Sequence, residues 1–247
     1  GSGPRMAIET DRVRITAGVL AGRTTGAPLA LRIENLDHAR WRGRDIEPLT
    51  VARPGHVDLV GAVKYGHREL RLSLERASAR STATRVAVGA ICKLLLRELG
   101  IEIGGYASGI GSVRASVDPD ADRPTLQARA EVALGNDLAW ADDDTLDAAR
   151  AEVEACVRDR DTLGGSFDVF ALGVPAGIGS YDQWDRRMDG RIAQALLSIQ
   201  AMKGVEIGPA FENAARRGTA AHDAIELAQD GALVRPTNRA GGVEAVS

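Results

Sequence analysis

Three stretches of this 247-residue chain combine residue types and spacings that could do chemistry. The first is Arg76-Ala77-Ser78-Ala79-Arg80-Ser81-Thr82, lying at the start of an apolar run with helical period. A helix N-terminus presents free backbone N–H groups and the positive end of its dipole, so hydroxyls and guanidinium groups gathered there can hold a phosphate. The competing reading is ordinary capping by Ser78 or Ser81 with solvated arginines. The second is Arg53-Pro54-Gly55-His56, followed by Asp58 and Lys64-Tyr65-Gly66-His67-Arg68. Proline and glycine make His56 a loop residue, and an imidazole beside arginines can act as a general acid near neutral pH. A structural, hydrogen-bonded role fits His38 and His222 better, and His67 reads as a rim residue. The third, 199–208, is a helix end followed by Lys203-Gly204-Val205-Glu206-Ile207-Gly208. It matches neither a phosphate-loop nor a dinucleotide fingerprint, and a plain glycine-bounded loop explains it equally well.

The elements that must position these groups follow from periodicity. Residues 12–19 and 29–33 alternate loosely around turn chemistry at 24–28, which predicts a hairpin. Val86, Ala90, Ile91, Leu94, Leu95 and Leu99 recur at helical spacing, which predicts a long buried helix over 79–99 stopped by Gly100. Strands broken by glycine are expected at 101–103 and 106–113, and an exposed loop at 117–126. Asp142-Asp143-Asp144-Thr145 caps an amphipathic helix running to about Arg158. A strand over 167–174 leads into a glycine-rich turn. A helix over 183–199 should bury Trp184, Met188, Ile192, Ala195, Leu196 and Ile199, and a short one over 210–217 should stop at Gly218. The tail 232–247 shows no period. Mixed helices and antiparallel-looking pairs imply α+β layers rather than a doubly wound sheet.

Composition bounds the function class. Hydrophobic residues make up 44%, charged residues 26% and aromatics 4%, with 28 glycines, as in a globular protein with an aliphatic core. A formal charge of −3 gives no general attraction to nucleic acid or anionic membrane, so an anion site must be a local arginine cluster. Cys92 and Cys156 lie in apolar, helix-like stretches without CxxC spacing and read as core thiols of a reducing compartment. The chain shows neither a membrane-length apolar run nor a basic-then-apolar opening, so a cytoplasmic location is expected.

Taken in order, Arg5-Met6 with Glu9-Thr10-Asp11, Gly22-Arg23-Thr24-Thr25-Gly26-Ala27-Pro28, Ile33-Glu34-Asn35, Arg53-Pro54-Gly55-His56 and Lys64-Tyr65-Gly66 resemble the chorismate synthase family. The likeness continues through Leu74-Glu75-Arg76-Ala77-Ser78-Ala79-Arg80, Gly173-Val174-Pro175-Ala176-Gly177, Lys203-Gly204-Val205-Glu206-Ile207-Gly208 and Thr237-Asn238-Arg239-Ala240-Gly241-Gly242. The resemblance implies a lyase of aromatic biosynthesis that converts 5-enolpyruvylshikimate 3-phosphate to chorismate and phosphate by 1,4-anti elimination. It implies reduced FMN as cofactor, without net redox change, and a sandwich of antiparallel sheets around helices assembled as a homotetramer. Both substrate and FMN carry phosphate, which suits an arginine-rich pocket in an acidic protein. By the same resemblance Arg76, Ala77, Ser78, Gln200 and Ala201 would contact the flavin, Arg80 the substrate, and His56 would protonate the reduced flavin.

Departures from the family pattern set further expectations. The family's Gly-Glu-Ser-His-Gly motif would precede Gly1, and its Lys-Pro-Thr-Ser run and catalytic aspartate would follow Ser247. The sequence therefore reads as one chorismate synthase-like domain, 1–247, incomplete at both ends, and turnover by this stretch alone is not expected. Ser81 stands where the family usually has Glu, and Ala245 where it has a flavin-contacting Gly. The alternatives are an inactive homologue that binds flavin or pairs with other subunits, and a flavin-dependent oxidoreductase, which the missing dinucleotide fingerprint disfavours.

Overall fold

The computed structural model describes residues 8–77, 81–118 and 121–244. The chain divides into two compact units, 1–94 and 95–247. The first opens with β1 (Val13–Ala17), β2 (Val19–Leu20), β3 (Arg23–Thr24) and β4 (Ala30–Ile33). β1 pairs antiparallel with β4, in register from Val13↔Ile33 to Ala17↔Ala30 with an irregularity between Ile15 and Ala17. β2 and β3 form a smaller antiparallel pair inside the connection, so the expected hairpin is present with a second one at its tip. Glu9, buried, accepts from the backbone N–H groups of Leu36 and Asp37 and ties the segment before β1 to the one after β4.

Helices α1 (His38–Trp41), α2 (Asp58–Tyr65) and α3 (Arg71–Arg76) follow, and α2 packs on α3. The long α4 (Ser81–Glu98) then starts in the first unit and ends in the second. Its existence matches the period, but its expected burial does not. Ala87 is its buried residue, whereas Val86, Leu94, Leu95 and, just past its end, Leu99 are 59–65% exposed. The apolar stripe faces solvent in the isolated chain. Cys92, expected in the core, is exposed on the same helix. Cys156 is half-buried, and burial pushes its thiol above the ordinary range.

The second unit is organised around β5 (Glu102–Ile110), β6 (Val113–Arg114), α5 (Arg123–Leu134), α6 (Asp143–Asp159) and β7 (Gly165–Leu172). The sheet order is β6-β5-β7, antiparallel throughout, with β5 and β7 paired from Glu102↔Leu172 to Ile110↔Gly165. β5 is one strand rather than two pieces broken by glycine. A Cβ on Gly104 would fall 2.2 Å from Phe170 Cζ, so glycine here admits a cross-strand ring instead of ending the strand. Tyr106, Ala133 and Ala141 form the buried cluster, with Leu126 and Phe170 against it and the Tyr106 and Phe170 rings 6.3 Å apart.

The expected loop at 117–126 contains the start of α5. Asp122 Oδ1 accepts from Thr125 N–H at 3.0 Å and Pro124 occupies the first turn, a start signal in its own right. α6 begins where expected, and Asp142 does more than cap it. Its carboxylate accepts from Asp144 N–H, Thr145 Oγ1–H and Ser116 N–H, while Thr145 Oγ1 accepts from the indole N–H of fully buried Trp140 at 2.9 Å.

α7 (Met188–Leu197) is shorter than predicted and has no fully buried residue. Trp184, expected beneath it, is 81% exposed in a turn where Arg186 donates to Asp182 at 3.0 Å. α8 (Ala210–Ala214) ends early, and Gly218 opens α9 (Gly218–Ala221) rather than only stopping a helix. The pair β8 (Glu226–Leu227) and β9 (Leu233–Val234) lies partly within the tail that shows no period. The class is α+β. Among the described residues no helix is long and apolar enough to cross a membrane.

Candidate functional site

His56 sits on a loop closed by an ion pair whose carboxylate is buried and whose guanidinium is part-exposed. Asp58, the first residue of α2, has no solvent exposure and accepts from Arg53 N–H (3.0 Å), Nε–H (2.9 Å) and Nη2–H (3.2 Å). Gly55, between them, has φ +74°, the left-handed region that suits glycine. His56 is exposed, as expected for a loop position, and its Nδ1 lies 3.0 Å from Pro54 O. A carbonyl oxygen only accepts, so Nδ1 carries the proton in this contact and Nε2 is the ring nitrogen left to gain or release one.

The Arg53 hydrogen bonds hold the Asp58 carboxyl at about 2, below the ordinary 3.8. A depressed carboxyl stabilises the fold above its unfolded-state value and loses that contribution as pH falls through the folded one. The first unit is therefore expected to lose stability between about pH 4 and pH 2. Urea midpoints measured across that range should fall for the natural sequence and fall less steeply for Asp58→Asn; parallel curves would show that the pair contributes nothing.

α2 and α3 join through His67 and Ser73. His67, expected at a rim, is half-buried with Nδ1 2.7 Å from Oγ of buried Ser73, and its ring stacks on Tyr65 at 5.6 Å. Glu69 accepts from Leu49 N–H and Arg71 N–H, so the segment before the His56 loop is fastened to the start of α3. His38 and His222, expected to be structural, are exposed.

Arg76 closes α3 and Ala77 is its C-cap, donating its N–H to Ser73 O and Leu74 O. The run 76–82 is thus not a single helix start. The exposed Arg76 guanidinium lies at the negative dipole end of α3, so the N-terminal dipole argument does not extend to it. Ser78 and Arg80 lie outside the described residues, and with them the expectation that Arg76 and Arg80 share a cleft.

In the second unit, half-buried Gln200 and exposed Ala201 occupy the turn that ends α7. Ala201 adopts φ +69°, unusual for a residue with a Cβ. The following loop is fixed by backbone contact between distant glycines. A Cβ on Gly208 would lie 2.6 Å from Gly241 N, and one on Gly241 would lie 2.4 Å from Gly208 N. Asp223 secures the same place by accepting from Thr237 Oγ1–H, Arg239 N–H and Ala240 N–H, and Asn213 donates to Arg239 O. Two family-like segments far apart in sequence, 203–208 and 237–242, therefore meet. Ala245 lies outside the described residues.

Of the sequence-predicted residues, His56, Arg76 and Ala77 belong to the first unit and Gln200 and Ala201 to the second. Sequence reasoning gave no role to Asp58 or Asp223. An aspartate two residues after His56 and at a helix start was the available signal for the first. Nothing local marks the second, because its partners lie fourteen or more residues on.

Known proteins agree with this pattern. The family model for chorismate synthase matches residues 1–246. Chorismate synthase of Thermus thermophilus is 49% identical over 253 residues, covering 99% of this chain and 64% of the relative. That of Desulforudis audaxviator is 47% identical over 254 residues, covering 99% and 64%. That of Chlorobaculum parvum is 44% identical over 257 residues, covering 99% and 63%, so the chain spans just under two thirds of these relatives' length. A solved structure, described as the crystal structure of chorismate synthase, superposes with a TM-score of 0.85 at 41% identity, covering 98% of this chain and 68% of the other. A match that runs through both units, in sequence and in fold, places the chain in the chorismate synthase family.

Proposed function

We propose that this chain is the greater part of a chorismate synthase, which eliminates phosphate from 5-enolpyruvylshikimate 3-phosphate to give chorismate. The observation that carries the reading is the family match over residues 1–246. Reduced FMN, when bound, supplies electron density transiently to a reaction with no net redox change. The chemistry present suits parts of such a ligand: in the first unit Arg76 offers an exposed guanidinium to a phosphate, and in the second Gln200 offers an amide. By the family resemblance Arg76, Ala77, Ser78, Gln200, Ala201 and Ala245 would contact the flavin, and Arg80 the substrate. His56, with Nδ1–H donating to the Pro54 carbonyl, would take up a proton at Nε2 and deliver it to the reduced flavin. A homotetramer in the cytoplasm completes the proposal.

The test uses the protein as its gene encodes it, assayed anaerobically for phosphate release and chorismate absorbance. Turnover that depends on reduced FMN is the expected result. Tight flavin binding with neither product would support an inactive homologue instead, and absence of both binding and turnover would overturn the reading.

A further inference from the structure

We propose that Asp58 is a positioning residue for His56, acting through Arg53 to hold the loop so that Nδ1 is committed to Pro54 and Nε2 is presented for proton transfer. This rests on the reading of His56 as a proton donor given above.

Asp58 is a charged side chain with no solvent exposure, and the bonds to it from Arg53 use both carboxylate oxygens and both the backbone and the guanidinium of one residue. The loop from Arg53 to Asp58 is thereby closed at its two ends. Inside the clamp the proline ring fixes φ at position 54, Gly55 makes the left-handed turn, the His56 N–H donates to Arg53 O at 3.4 Å, and the imidazole bonds the Pro54 carbonyl. Few freedoms remain.

Stability alone is a poor reason for such a clamp. Desolvating the Asp58 carboxylate offsets much of its attraction to the part-exposed Arg53 guanidinium, and a small turn can be closed by backbone bonds. What the ion pair adds is a single geometry for the residue at its tip. A displacement of about 1 Å at a reacting group can cost roughly a hundredfold in rate. Breaking the clamp should therefore lower the rate of the proton-transfer step more than it weakens binding.

The experiment compares Asp58→Asn and His56→Ala in the protein as its gene encodes it, labelled with 15N-histidine. The His56 imidazole signals, assigned by their absence in His56→Ala, should show a fixed Nδ1–H tautomer in the natural sequence and an averaged one in Asp58→Asn. In the assay Asp58→Asn should lower kcat about 10- to 100-fold, with substrate KM and flavin Kd within about threefold. Unchanged tautomer and unchanged kcat would overturn the proposal, as would a rise in KM with kcat intact. If His56→Ala keeps full turnover, the role of His56 falls, and the tautomer signal alone then decides whether Asp58 holds the ring. Should Asp58→Asn fail to fold, Arg53→Lys is read in the same way, since it keeps the charge and loses the forked contact.

Discussion

On the proposed role of His56 as a general acid, its replacement by alanine is expected to lower turnover of the protein as its gene encodes it about 10²–10⁴-fold while the fold survives. The imidazole is exposed and bonds within its own loop, so its removal leaves no cavity and strands no buried partner. The accompanying stability change should stay within about 0.5 kcal/mol, as for ordinary surface substitutions. Asp58 and Arg53 keep the loop closed in the variant, which separates loss of the proton donor from loss of loop geometry. Flavin titration and circular dichroism should match the natural protein, with the deficit confined to the anaerobic assay. Turnover within twofold of the natural enzyme would remove His56 from the mechanism.

Trp140→Ala costs about 3–5 kcal/mol of stability, the range for deleting a buried aromatic side chain. Trp140 has no solvent exposure and bridges to β5 beside Ala107. Asn136 clamps its backbone from both sides, accepting from Trp140 N–H and donating to Trp140 O, each at 2.9 Å. Removing the fully buried indole opens a void and leaves Thr145 Oγ1 without the donor that feeds the Asp142 network. The measurement is the urea midpoint of the variant against the natural protein. A shift worth under about 1 kcal/mol would mean that Trp140 does not anchor the second unit.

Local signals were readable where the chain punctuates itself. Asp142 before an amphipathic period marked α6, and the turn chemistry at 24–28 marked the hairpin of β1 and β4. At Asp122 and Pro124 the same kind of signal is hidden, because a cap and a first-turn proline resemble loop composition. Gly104 reads as a break from the sequence because its reason, the ring of Phe170, sits on another strand. Burial was the least readable property. Helical spacing shows which residues share a face, but only neighbours decide whether that face is covered, as Leu94 and Trp184 make plain. At the site, His56 could be found from Arg-Pro-Gly-His, while Asp223 and the Gly208–Gly241 contact depend on pairings that no local pattern encodes.

The pairing of β5 with β7 also sets an order of events in the cell. Ser108 meets Asp168 sixty residues along the chain, whereas Thr16 of β1 meets Ala30 only fourteen away. The longer closure costs about 1 kcal/mol more in chain entropy. During synthesis at roughly 5–20 residues per second, β5 leaves the ribosome about 3–12 s before its partner. For that interval it is a nascent strand with an open edge, and strand glycines such as Gly104 and Gly105 contribute little to pairing with a stranger. The position that later admits the Phe170 ring, Gly104, also helps make β5 a weak template while it waits.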